Sequence, residues 1–218
     1  MITTALFDLD GTLTDTMGLT LRGIRYALEP LLGRPLSDTE IFEQFGPPEP
    51  DIIRALVGPQ KLSTGLQRLQ DYYDREIPRI RTYDGIRTLL STLRERGVMI
   101  GLATGRGRDN TLRILRQVRL DVFMEVVVTG SDHARHKPDP EGVLRAIRLL
   151  HVRPEETLFV GDTRADIQAG RAAGVVTAAA LWGCTEGDEW VEEERPDLRF
   201  YTVNGMRDWV EDHYPPPP

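Results

Sequence analysis

The stretch Thr4-Ala5-Leu6-Phe7-Asp8-Leu9-Asp10-Gly11-Thr12 joins a short apolar run to two carboxylates with one residue between them and then to a glycine. A run of this length ending in polar residues reads as a buried strand, so both acids project from its carboxyl end. In open α/β sheets that edge holds the ligand. Taken alone, the stretch also fits a solvated turn with Gly11 at positive φ. A calcium loop does not fit, because an EF-hand places its glycine sixth from the first acid and a glutamate twelfth. Here Gly11 is fourth from Asp8 and the twelfth position is Leu19.

Three more apolar runs, at 98–103, 126–128 and 158–160, end in polar or glycine residues and read as further buried strands. Helical patterns at 86–96, 108–118, 140–150 and 164–173 lie between or after them. Alternation of this kind predicts an α/β fold with a doubly wound parallel sheet, a Rossmann-like core. Asp139-Pro140 offers an N-cap followed by a first-turn proline, Asp162-Thr163 precedes another helix, and Gly174 supplies its stop. A fifth strand is expected at 175–179 and a sixth, at an edge, at 198–203. Residues 215–218 are all proline and are expected to be a frayed tail.

Between about 14 and 80 the alternation breaks into helical patterns at 19–32, 39–45, 52–57 and 66–77. Ser37-Asp38-Thr39-Glu40 matches a capping box, and Gly46-Pro47-Pro48 is a stop between two such helices. The expected organisation is a discontinuous core at 1–13 and 81–214, with a small all-helical cap at 14–80 inserted after the first strand. A chain of 218 residues is long enough for these two parts.

The second strand ends in Ala103-Thr104-Gly105, where a hydroxyl and a backbone N–H near a helix start suit a phosphate. Gly105-Arg106-Gly107 followed by Asn110 lacks the third glycine of a dinucleotide loop. After the third strand, Lys137-Pro138-Asp139-Pro140 fixes a lysine that can neutralise a phosphoryl oxygen as a point charge. His133 and His136 share that loop, but further nitrogen or sulfur ligands for a metal are missing. The fourth strand ends in Gly161-Asp162-Thr163-Arg164-Ala165-Asp166, which adds two carboxylates four residues apart at a helix start. Acids gathered at one edge repel one another and imply a bound cation. Oxygen-only ligands with few carboxylates suit Mg²⁺.

Asp8-Leu9-Asp10-Gly11-Thr12, Thr104, Lys137-Pro138 and the 161–166 run together resemble the four ordered motifs of the haloacid dehalogenase-like phosphatases. The resemblance covers about residues 5–183 and is greatest to the phosphoglycolate phosphatase-like branch, whose members carry a helical cap after the first motif. It implies Asp8 as nucleophile, Asp10 as general acid and base, and Thr104 and Lys137 as phosphoryl holders. Leu9, Asp10, Thr104, Gly105 and Lys137 would then bind phosphate. Mg²⁺ would lie on Asp8, the Asp10 carbonyl and Asp162, with Asp166 acting directly or through water. Asp15 is left between cap hinge and substrate contact. Two departures, Tyr83-Asp84-Gly85 in place of a proline before the glycine and Gly105-Arg106 in place of Asn-Lys, put the substrate in doubt rather than the chemistry.

The implied activity is hydrolysis of a small phosphomonoester, phosphoglycolate-like, through an aspartyl-phosphate. The same motifs admit an inorganic pyrophosphatase, a nucleotidase or a sugar phosphomutase, and Gly46-Pro47-Pro48 is similar to the pyrophosphatase-like relatives. A phospho-receiver domain fits poorly: its aspartate lies in mid-domain and it has no helical insert. A formal net charge of −7, with arginines and glutamates interspersed, argues against a nucleic acid polymer as partner. The single cysteine, Cys184, excludes an intrachain disulfide and reads as a small buried hydrophobe. With no basic-then-apolar leader and no apolar run of about 20 residues, the expectation is a cytoplasmic enzyme that does not engage a membrane.

Overall fold

The computed structural model describes residues 1–184 and 189–215. Six strands, β1 (Thr4–Phe7), β2 (Met99–Ala103), β3 (Val126–Val128), β4 (Thr157–Gly161), β5 (Val176–Ala180) and β6 (Leu198–Phe200), form one sheet in the order β3-β2-β1-β4-β5-β6. Every neighbouring pair is parallel. β1 is central and all four of its residues are buried, which is why it reads as a continuous apolar run instead of an alternating one: helices cover both faces.

The chain leaves β1 toward one side for β2 and returns to the other side for β4. Phe7 is in register with both Leu102 and Val160. The strand order therefore reverses at β1, and the crevice at that switch point opens beyond the carboxyl ends of β1, β2 and β4.

Four helices, α1 (Met17–Leu32), α2 (Asp38–Phe42), α3 (Glu49–Val57) and α4 (Leu62–Glu76), follow β1 and precede the helix α5 (Ile86–Glu95) that leads into β2. Ser37 and Glu40 form the capping box expected at α2. α1, α3 and α4 pack on one another through Ile24, Leu28, Ile53 and Leu69, with Gly65 letting α4 approach Ile53 closely. The two chain crossings between these helices and the sheet run side by side, Thr14 bridging to Thr82 and the Asp15 N–H donating to the Arg81 carbonyl.

The remaining helices are α6 (Arg108–Gln117), α7 (Glu141–Leu150), α8 (Arg164–Ala173), α9 (Glu189–Glu194) and α10 (Val203–His213). α6 and α7 each differ from the sequence expectation by one residue at an end, and α8 matches it. α7 starts at Glu141, one residue later than the Asp139-Pro140 signal implies, although the Asp139 carboxylate still accepts from the Glu141 N–H at 2.9 Å. The sixth strand is shorter than expected: it stops at Phe200, and Val203 begins α10 behind its Thr202 cap. Val203, Met206 and Val210, all buried, carry the helical spacing that a strand reading through 203 overrides. α9 was likewise not foreseen, because Glu-Trp-Val-Glu-Glu-Glu is too short to show a period. Cys184 is half-buried, not fully buried, and accepts from the Trp190 indole N–H at 3.4 Å. Of the proline tail expected to fray, residues 216–218 lie outside the described residues. Among the described residues no helix is long and apolar enough to cross a membrane.

Phe159 on β4 is fully buried, and replacing it with alanine is expected to cost ~3–5 kcal/mol through lost burial and the cavity left behind. Val122→Ala, at a residue two-thirds exposed, should stay within about 0.5 kcal/mol. Urea unfolding midpoints of both variants check this contrast.

Candidate active site

The residues nominated from the sequence meet at the switch point. Asp8 directly follows β1 and its N–H continues the ladder to the Val160 carbonyl at 2.9 Å; the Thr104 N–H does the same from the end of β2 to Val128, at 3.0 Å. Asp162 follows β4, Asp166 lies in the first turn of α8, and Lys137 reaches in from the loop after β3. Asp8, Asp10, Thr104, Gly105, Lys137, Asp162 and Asp166 all line one cavity of about 300 Å³, whose other wall is the helical insert. Leu9 does not line it. Its side chain is fully buried in the core, so only its backbone could face a ligand. Asp15 is exposed at the crossing between insert and sheet, also outside the cavity lining.

The turn carrying Asp10 is set by close approach. Gly11 has φ +80°, and a Cβ there would lie 2.0 Å from Asp162 Oδ2, so glycine is required on both counts. The Thr12 hydroxyl donates to Asp162 Oδ1 at 3.0 Å, and the Trp182 indole N–H donates to the Thr12 carbonyl at 2.9 Å. Thr163 caps α8 in a capping box with Asp166, whose Oδ2 accepts from the Thr163 N–H and hydroxyl.

Two cations divide the carboxylates between them. Lys137 Nζ lies 2.6 Å from Asp8 Oδ1 and 2.6 Å from Asp166 Oδ1, and it sits 5.0 Å over the Phe159 ring. Arg106 grips Asp10 in a fork, with Nε donating to Oδ2 at 2.9 Å and Nη2 to Oδ1 at 2.8 Å. Thr16 also donates its hydroxyl to Asp10. The same guanidinium donates to the Thr20 hydroxyl and to Glu49 Oε1, the latter at 3.4 Å. Glu49, at the start of α3, is fixed further by the Gly107 N–H at 2.8 Å and the Asn110 amide at 3.1 Å.

This division pushes the acids in opposite directions. Burial raises the Asp8 carboxyl to about 7; Lys137 works against that, and the charges of Asp166 and Asp10 add to it. Burial also works to raise Asp10, but the Arg106 fork outweighs it and holds Asp10 below the usual carboxylate range. Asp162 stands well above its ordinary value because it is buried and faces Asp166 and Asp8. Burial acts to lower Lys137, yet Asp166 and Asp8 keep it above its ordinary value, so it remains an ammonium.

In the sequence Arg106 stands out as part of an incomplete glycine loop and as a departure from the motif, while Glu49, Thr16 and Thr20 are not nominated there. Arg106 lies two residues past Thr104 in the same motif, which was the available signal. Glu49 had none: only packing of α3 against the sheet brings it to Arg106. His133 and His136 have rings 5.1 Å apart, but among the described residues no three His, Cys, Asp or Glu side chains form a ready-made metal cage.

The haloacid dehalogenase-like hydrolase profile matches residues 5–180 of the chain. Pyrophosphatase PpaX of Bacillus pumilus is 34% identical over 206 residues, covering 94% of this chain and 94% of its own. A structure from Haemophilus somnus described as a predicted phosphoglycolate phosphatase superposes with a TM-score of 0.84 at 19% identity, covering 96% of this chain and 98% of its own. A hydrolase from Pseudomonas syringae gives a TM-score of 0.83 at 23% identity, covering 97% and 99%. The last two are likenesses of fold. With the ordered motifs on one sheet edge and the profile spanning most of its length, the chain belongs to the haloacid dehalogenase-like hydrolases.

Proposed function

We propose that this hydrolase is a Mg²⁺-dependent phosphatase that removes the phosphoryl group of a small phosphorylated metabolite through an aspartyl-phosphate on Asp8. The observation that carries the reading is the pair Asp8 and Asp10, two residues apart in one cavity but held by different cations and so differing in proton affinity. Environments that push two carboxyls apart assign them different roles.

Asp162 supports the metal. It is a buried acid facing like charges, and its side-chain partner is a neutral hydroxyl, Thr12. A cation beside it would supply the missing counter-charge. Asp8 and Asp162, with the Asp10 carbonyl, would hold the ion, while water and the substrate phosphate fill the remaining positions, as Mg²⁺ favours. Asp166 has one oxygen on Thr163 and the other on Lys137, so we assign it to act through water. Bound Mg²⁺ would offset charge on the transferring phosphoryl oxygens and favour the ionised form of Asp8.

An Asp8 oxygen attacks phosphorus, the phosphorus–oxygen bond to the ester breaks, and its electron pair stays on the leaving oxygen, which takes a proton from Asp10. Water then attacks the acyl-phosphate, Asp10 accepts its proton, and phosphate leaves with Asp8 restored. Lys137, the Thr104 hydroxyl and the Leu9, Asp10 and Gly105 backbone are assigned to hold the phosphoryl oxygens. The Arg106 fork favours the proton-accepting form of Asp10, which serves the second step. It opposes the first, so poor leaving groups are penalised while the fork persists.

We further propose that residues 14–80 are a cap that encloses the substrate. Support comes from the insert's contacts with the second motif: the Gly105 backbone meets Gly46, and Glu49 meets Arg106 and Gly107. A pyrophosphatase is the second reading, favoured by the likeness to PpaX.

Asp8→Asn is expected to reduce turnover to background and to leave no phosphoenzyme. Asp10→Asn should lose ~10²–10⁴ in rate and accumulate the acyl-phosphate with a substrate whose leaving group needs little protonation. Rapid-quench trapping distinguishes the two variants, and label on any residue other than Asp8 would sink the mechanism. Because burial raises Asp8 from its ordinary 3.8 to about 7, metal-free protein should lose stability as pH rises between about 4 and 7. Mg²⁺ should then raise the Tm by ~2–4 °C or more at pH 8 and by less at pH 5. Thermal scans with chelator and with Mg²⁺ read this directly. A methyl on Gly105 would lie 2.6 Å from the Gly46 carbonyl oxygen, so Gly105→Ala should hold the insert off the sheet and lower kcat/KM by about 10²-fold. Steady-state kinetics showing wild-type values would remove the cap assignment.

A further inference from the structure

Three cationic side chains line the cavity, Arg106, Lys137 and Arg164, and they differ in how firmly each is held. Lys137 is 13% exposed, lies 2.6 Å from both Asp8 and Asp166, and is assigned to the transferring phosphoryl group. Arg106 is 3% exposed; its N–H groups reach Asp10, Thr20 and Glu49, and its guanidinium lies 5.2 Å from the centre of the Tyr73 ring. Turning Arg106 toward a substrate would deprive the buried Glu49 carboxylate of its charged partner, whatever proton Asp10 carries.

Arg164 is held differently. It is the first residue of α8, it stands in the chain between Asp162 and Asp166, and its side chain is 47% exposed. Its ion pairs run to Glu193 at 2.7 Å, a side chain 66% exposed, and to Glu194 at 3.7 Å. Glu194 does not depend on it, because one of its oxygens accepts from Gln168 at 2.7 Å and the other from Arg171 at 3.3 Å. What Arg164 would give up by turning to a ligand is therefore one exposed ion pair, and such pairs contribute little. Its planar fork matches a carboxylate or a phosphate. Among the described residues the insert brings no lysine or arginine to the cavity lining, so a pairing charge for the substrate has to come from the sheet side.

We infer that Arg164 is a specificity-determining residue: it exchanges Glu193 for a second anionic group of the substrate, so the enzyme selects phosphoryl compounds whose leaving group carries its own negative charge. The inference rests on the phosphatase reading above. Its chemistry is that of an arginine fork on a carboxylate or a phosphate, and the two are told apart by experiment. Asp162 and Asp166, on either side of Arg164, line the same cavity as Asp8, which keeps the backbone of Arg164 close to the group in transfer.

The test compares phosphoglycolate and pyrophosphate, whose leaving groups carry a carboxylate and a phosphate, with 2-hydroxyethyl phosphate, whose leaving group is uncharged. With wild-type enzyme and Mg²⁺, kcat/KM for at least one of the anionic pair is expected to exceed that for the uncharged ester by about tenfold or more. The better of the two names the group that Arg164 holds. Arg164→Gln should lower the ratio of anionic to uncharged kcat/KM by about tenfold, chiefly through KM. A purely structural tether to α9 would make Glu193→Gln, which cuts the same ion pair, lower the ratio equally. Under the inference Glu193→Gln holds or raises it, because the competing carboxylate is gone. Calorimetry on Asp8→Asn protein with Mg²⁺, with and without Arg164→Gln, reads the affinity order apart from turnover. Binding that favours an anionic compound and loses that preference with Arg164→Gln, while wild-type enzyme releases phosphate from none of the three, would sink the phosphatase reading and leave the selectivity standing. A wild-type preference for the uncharged ester in both kcat/KM and binding, a ratio unmoved by Arg164→Gln, or an equal fall with Glu193→Gln would overturn the inference.

Discussion

Crowding of carboxylates at the carboxyl end of β1 is the constraint to which the rest of the site answers. Asp8, Asp10, Asp162 and Asp166 converge there with little water to screen them, and burial alone makes the ionised forms unfavourable. Such an arrangement persists only if cations are built around it. Lys137 between Asp8 and Asp166, and Arg106 on Asp10, are those cations. Asp162 faces Asp166 and Asp8, and among the described residues the side-chain hydrogen bond it accepts comes from the Thr12 hydroxyl.

The two fixed cations are not equivalent, and the difference follows from their chemistry. Lysine is a point charge that can pass from one oxygen to another, which suits the oxygens of a group in transfer. Arginine is a planar fork that fixes orientation. Its two parallel bonds to Asp10 lock the direction of that carboxylate, and its remaining donors reach Thr20 and Glu49 on the insert. One side chain thereby links Asp10 at the sheet edge to the helices of the insert.

Close backbone approach completes the same link. Gly105 in the second motif has the Gly46 carbonyl where a side chain would stand, and Gly130 has the Gly105 carbonyl. Glycine at such positions admits main chain where any Cβ would force it out. The loop after β2, the loop after β3 and the insert are therefore stacked in contact.

The sequence by itself determined the sheet, its parallel sense and the helical run between its first two strands, and it nominated Asp8, Leu9, Asp10, Thr104, Gly105, Lys137, Asp162 and Asp166 for chemistry. All of these are local: an apolar run ended by acids, a proline or a capping hydroxyl at a helix start, and glycine where the backbone turns. The sequence also showed that Arg106 departs from the motif. The tertiary structure alone decided what Arg106 touches. Residues 10, 49 and 106 lie in three different segments with no shared period, and they meet because β1 and β2 are neighbours in the sheet and α3 folds back over their ends. It also divided the carboxylates between two cations, a matter of a few ångströms that spacing along the chain does not encode. Charge pairing between distant segments depends on distance in space, and distance in space is fixed only when the core has packed.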